Sequence, residues 1–105
     1  MDIAYKLAFD SLTWTEPGDG TRFKAYQQDG YQLRLVEFSN NMVHPEWCRR
    51  GHMAYVLEGQ MELDFDGRTE LFEKGDVMFI PDGDEHRHRP KALTERVVFF
   101  SVEKI

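Results

Sequence analysis

The sequence predicts an all-β fold, and three observations carry that expectation. Short apolar runs alternate with polar residues at a period of two, and turn dipeptides separate those runs at close intervals. No stretch longer than one turn keeps the 3.6-residue apolar period of a helix. Composition agrees: eight Phe, four Tyr and two Trp favour pleated strands, while eight Gly and four Pro are scattered as turn residues and not gathered into a linker.

The elements follow in order. Thr15 to Gly20 contains Pro17, Gly18 and Gly20 and reads as a loop, so residues 1–16 are expected to form an extra strand or arm ahead of a barrel spanning residues 22–104. Asp29-Gly30 marks a hairpin before Tyr31 to Phe38, a strand-like run with apolar residues on both parities, as for a strand covered on both sides. Met61, Leu63 and Phe65 alternate with Glu62, Asp64 and Asp66, which puts one face in the core and one in water. Asp66-Gly67 turns the chain into Thr69 to Phe72, and Lys74-Gly75 turns it again. Val77 to Ile80 is a four-residue strand stopped by Pro81, which lacks an N–H for the ladder. Arg96 to Val102 is the last strand, again apolar on both parities. Eight or more short strands fit a closed jelly roll better than an open sheet. With 105 residues and 41% apolar content, the chain suffices for one core, and a single domain over 1–105 is expected.

Formal charge is −6, from 19 acidic and 13 basic residues, which argues against nucleic acid or an anionic membrane surface as a partner. The N-terminus holds no apolar run of signal-peptide or membrane-span length, and a lone cysteine cannot close an internal disulfide. A reducing cytoplasm is the expected location.

Two stretches carry the chemistry. The first is Gly75-Asp-Val-Met-Phe-Ile-Pro81-Asp-Gly83-Asp-Glu-His86, with the spacing Gly, five residues, Pro, one residue, Gly, two residues, His. It resembles the second signature motif of the cupin superfamily. Upstream, Glu46-x-Cys48, three residues, His52, six residues and Gly59 resembles that superfamily's first motif at every turn position. The ligand types differ, because Glu46 and Cys48 stand where two histidines are usual and His52 stands where glutamate is usual. The resemblance implies a double-stranded β-helix, a jelly-roll barrel with a metal site inside it, and a homodimer formed through an edge strand or a swapped arm.

Positions 46, 48 and 52 share parity, so an unbroken strand points Glu46, Cys48 and His52 to one face, where His86 would join them from another strand. One carboxylate, one thiolate and two imidazoles suit zinc; iron, nickel, copper or manganese also fit, since geometry and supply decide occupancy as much as ligand softness. His44 and His88 form a rival set, with His88 pointing into the same cavity as His86 if that strand continues. Arg50 shares the cluster's parity and is the one arginine placed to face the pocket as a substrate contact, with a solvated guanidinium as its plain reading, whereas Arg87 and Arg89 alternate away toward solvent. Ala54, Val56, Met61, Leu63, Phe65 and either Met78 or Phe79 are expected to make the remaining walls apolar.

These residues imply a barrel that holds one divalent metal and a small-molecule ligand, acting as a metal-dependent enzyme on a small organic substrate. Two alternatives stand beside it: a non-catalytic binding or sensor barrel without metal, and a Cys48 nucleophile activated by His52 or His86. The plain reading of the same residues is a buried small thiol, a solvent-facing Glu46 and hydrogen-bonded imidazoles.

Overall fold

The computed structural model describes residues 3–42 and 45–105. Its strands are β1 (Thr15–Gly18), β2 (Thr21–Gln28), β3 (Tyr31–Ser39), β4 (His52–Glu58), β5 (Gln60–Asp64), β6 (Thr69–Glu73), β7 (Val77–Ile80), β8 (Arg89–Ala92) and β9 (Arg96–Lys104). They form a six-stranded sheet in the order β1-β2-β3-β9-β4-β7 and a three-stranded sheet in the order β6-β5-β8, with every pairing antiparallel. Helix among the described residues is confined to 3-10 turns at Phe9–Ser11 and Asp84–His86, and no helix is long and apolar enough to cross a membrane. This is the jelly-roll barrel that the alternation and turn spacing predict.

The two sheets face each other across one apolar core. Val36, Val56, Val97 and Phe99 come from the larger sheet, and Met61, Leu63, Phe72 and Ala92 from the smaller. Burying each large side chain contributes about 1.5–3 kcal/mol relative to leaving it in water. The hairpin turns fall where expected: Asp29-Gly30 and Asp66-Gly67 both take positive φ at both residues, the conformation that matches the twist of the flanking strands.

Two expectations are corrected. Thr15–Gly18 is not loop but edge strand β1, paired with β2. Pro17 is tolerated there because an edge strand has an outer side that needs no ladder hydrogen bond. The strand expected from Glu46 to His52 begins only at His52. Gly51 explains the break, since a Cβ at this position would lie 2.1 Å from the Ile80 carbonyl oxygen and 2.4 Å from the Pro81 carbonyl carbon. The chain crosses the end of β7 too closely for any side chain, and the Gly51 N–H donates to Asp82 Oδ1 at 2.6 Å.

The outer face of the larger sheet carries two apolar rows. Register aligns Leu33, Val102, Met53 and Phe79 in one row and Leu35, Phe100, Tyr55 and Val77 in the next. The segment before β1 covers the β3 side, where Phe9 meets Phe100 edge to face at 5.8 Å and Lys24 Nζ donates to the Phe9 carbonyl at 3.0 Å. At the other end Val77 and Phe79 stand 66% and 73% exposed. Of the two residues offered for the pocket wall, Met78 therefore points inward and Phe79 outward.

Gly51→Ala is expected to destabilise the fold by about 1–3 kcal/mol, because the obstructing atoms are backbone and cannot move aside cheaply. Gly18→Ala, with open space around it, is expected to stay within about 0.5 kcal/mol of wild type. Urea denaturation of the two variants measures both.

Candidate functional site

A cavity of about 230 Å³ opens between the sheets, and Glu46, Cys48, His52 and His88 all line it. His52 is the first residue of β4 and points inward with Ala54 and Val56. Cys48 reaches the same space by an isolated bridge with His88: the Cys48 N–H donates to the His88 carbonyl at 2.9 Å, and the His88 N–H donates back to the Cys48 carbonyl at 3.0 Å. That pairing sets the Cys48 thiol close enough to the His88 imidazole for each to shift the other's titration, while Sγ donates to the Arg50 carbonyl at 3.6 Å.

The two imidazoles face each other, with His52 Nε2 and His88 Nε2 3.3 Å apart. Their far nitrogens are both occupied. His88 Nδ1 lies 3.0 Å from the His86 carbonyl oxygen and His52 Nδ1 lies 3.3 Å from Ser101 Oγ. A carbonyl only accepts, so His88 Nδ1 carries the proton, and neutral His88 presents a bare Nε2 lone pair to His52. The pair must then share a proton or a cation.

Electrostatics sort the three groups. Burial, reinforced by the His88 charge, lowers His52 from 6.5 to about 4, so it is neutral at physiological pH. The hydrogen bond from His88 holds the Cys48 thiol below its ordinary 9.0 against the opposing effect of burial. Burial works to lower His88, but its bonds with Cys48 and the His86 carbonyl outweigh that and raise it. Thiolate character on Cys48 and a proton on His88 therefore support each other.

A divalent ion fits this donor set. Zinc–nitrogen bonds of about 2.0–2.1 Å in a tetrahedron place two ligand nitrogens about 3.3–3.4 Å apart, the separation of the two Nε2 atoms. The occupied Nδ1 atoms are the outer contacts that fix ring orientation in metal sites. Among the described residues no three His, Cys, Asp or Glu side chains are closed around a common point, so the imidazole pair stands as two donors.

His86 is not brought to the cluster. It ends the Asp84–His86 3-10 turn, its Nε2 lies 3.6 Å from Glu85 Oε1, and it lines a separate outer groove with Phe65, Phe79 and Pro81. That turn rotates the chain before β8 begins, so the inward histidine is His88, only 3% exposed. Arg50 is exposed and does not line the cavity, because the break at Gly51 cancels the parity that pointed it inward. Glu46 sits at the rim, exposed yet lining the cavity. His44 lies outside the described residues. Arg89 is not solvated: it stacks over Trp47 at 3.9 Å and pairs with Asp64 at 3.3 Å.

Two inner-face groups escaped the sequence reading. Arg34 shares parity with Val36 and Phe38 and lines the cavity; Ser101 continues the buried parity of Val97 and Phe99. In each case the signal is a polar residue placed in phase with core positions.

Two antiparallel sheets closed around an apolar core define a jelly-roll β-barrel, here with two imidazoles and a thiol lining its cavity. Over residues 39–103 the sequence matches the family described as Cupin domain, and the chain belongs to that family. No curated protein aligns with the sequence. Among solved structures it is similar to the polyketide cyclase RemF from Streptomyces resistomycificus, at 26% identity over 97% of this chain and 80% of that one, with a TM-score of 0.76. It is also similar to KdgF from Halomonas sp., at 18% identity over 90% and 89% of the two chains and a TM-score of 0.73. A structure described as FeII HppE matches at 14% identity and a TM-score of 0.74, over 95% of this chain and 60% of that one.

Folded His52 titrates below the 6.5 of the unfolded side chain, so between those values the unfolded chain binds more protons. Stability is then complete above pH 6.5 and falls as pH drops toward 4. Between pH 6.5 and 5 this loss is expected to reach about 2 kcal/mol, and to shrink in His52→Gln. Urea midpoints across that range, with the two proteins side by side, provide the check.

Proposed function

We propose that the cavity is a metal site in which His52, His88 and Cys48 hold one divalent ion beside a pocket for a small organic substrate. The observation that carries this reading is the 3.3 Å separation of two Nε2 atoms whose Nδ1 atoms are already engaged. Neutral His52 meets the bare His88 Nε2 with its own Nε2–H, and a divalent ion would take the place of that proton. A thiolate beside two imidazoles favours zinc, with iron, nickel, copper and manganese as competitors.

When bound, the ion would polarise a substrate oxygen as a Lewis acid. The chain's own contributions are clearer. Apolar walls from Phe23, Val36, Met61, Leu63 and Phe99 exclude water and hold the substrate body. Glu46 at the rim has a carboxylate placed to take or return a proton without burial in the core. The likeness to a polyketide cyclase across nearly the whole chain supports turnover of a small organic molecule. The free thiol and the net charge of −6 suit a reducing cytoplasm.

Untagged protein is expected to carry one divalent ion per chain by elemental analysis. His52→Ala and His88→Ala are each expected to lose it, Cys48→Ser to bind it more weakly, and His86→Ala to retain it. Metal-free protein that takes up no ion on dialysis against zinc, iron(II) or nickel would favour the non-catalytic binding barrel. Loss confined to His86→Ala would return the site to the outer groove.

A further inference from the structure

We propose that the cavity selects a small organic carboxylate and that Arg34 is its anchor. The inference rests on reading this cavity as the substrate pocket. Arg34 stands on the inner face of β3, in one row with Ala25, Ser101 and Ala54. It is the arginine in the wall of a mostly apolar chamber that also holds Glu46, Cys48, His52 and His88.

Its hydrogen-bonding capacity is largely unused. Arg34 Nε lies 3.2 Å from Glu103 Oε1, an ion-pair distance, but off the N–H direction, so this buried nitrogen makes no hydrogen bond. No hydrogen bond to a described residue engages the terminal Nη groups either. Glu103 itself, 5% exposed, accepts from Gln32 Nε2. Glu103 thus balances the charge of Arg34 without consuming its fork of donors. The Phe23 ring, 5.5 Å from the guanidinium carbon, supports the group from one side. A planar, permanently charged fork matches a carboxylate through two parallel bonds.

Size and walls narrow the class. At about 30 Å³ per water, the cavity holds the equivalent of about eight waters, enough for an acid of about eight to ten non-hydrogen atoms. Phe23, Phe38, Met61, Leu63 and Phe99 surround the body of such a molecule with carbon. The cavity also places that molecule beside His52, His88 and Cys48, which line the same space. An aromatic or short aliphatic monocarboxylate satisfies every part of this description.

The test compares benzoate with benzamide, equal in shape and different in charge, by calorimetry or ligand-observed NMR on zinc-loaded and chelator-treated protein. Benzoate is expected to bind about tenfold tighter than benzamide, because the amide offers one acceptor oxygen and an NH2 where the guanidinium fork presents two donors. In Arg34→Gln the preference is expected to collapse to about twofold or less, and in Arg34→Lys, which keeps the charge and loses the fork, to fall between the two. Equal binding of both probes by wild type overturns the proposal, as does a folded Arg34→Gln that still prefers benzoate. Elemental analysis of the same samples separates the two readings: benzoate preference in protein that binds no metal overturns the metal site alone.

Discussion

Two reciprocal backbone hydrogen bonds between Cys48 and His88 hold the site together. They form an isolated bridge ahead of β4, next to a bond from the Gly83 N–H to the Arg49 carbonyl at 3.1 Å, and they tie an irregular segment to the start of β8. Without them the thiol has no fixed relation to the imidazole. With them, Cys48 and His52 converge with His88, which comes from a distant part of the chain. The bridge also shields backbone groups that would otherwise face the apolar cavity unpaired.

Around that bridge the site is arranged as a problem of charge. His52 is kept neutral by burial, His88 is held toward its protonated form by its partners, and Cys48 is held toward thiolate. On the neighbouring strand Arg34 and Glu103 form a second pair of opposite charges. The cavity therefore meets two pairs whose members favour opposite charge, Cys48 with His88 at its mouth and Glu103 with Arg34 in its wall. Balanced but undersatisfied polar groups are costly to bury and are characteristic of places that receive something.

Much of the fold was legible because one-sided burial imposes a period. Met61, Leu63 and Phe65 against Glu62, Asp64 and Asp66 fix β5, and the Asp-Gly pairs fix the hairpins. The site was legible only in part, because parity is a local rule. It carries Cys48 and His52 to one cavity only through the bridge to His88, since Gly51 interrupts the strand between them. It fails for His86, where a single 3-10 turn separates the Pro81 stop from β8 and hands the inward position to His88. It fails for Arg50 for the same reason as Gly51. Arg34 was concealed within a run apolar on both parities, where a lone arginine passes for a surface residue unless its phase is compared with Val36 and Phe38. Arg89 was misjudged because alternation says nothing about a guanidinium finding the face of Trp47.

The strand β4 serves two masters. Its even-numbered residues point inward, His52 into the cavity and Ala54 and Val56 into the core, while Met53, Tyr55 and Leu57 form part of the bare outer face. Gly59 closes it at a positive φ of 83°, where an added Cβ would strike the Arg96 carbonyl 2.1 Å away. Pinned by a glycine at each end, this segment tolerates exchange of its side chains but not a change in its length. A deletion or insertion of one residue would turn the imidazole to the outside and drive a methionine into the interior, abolishing both surfaces in a single event.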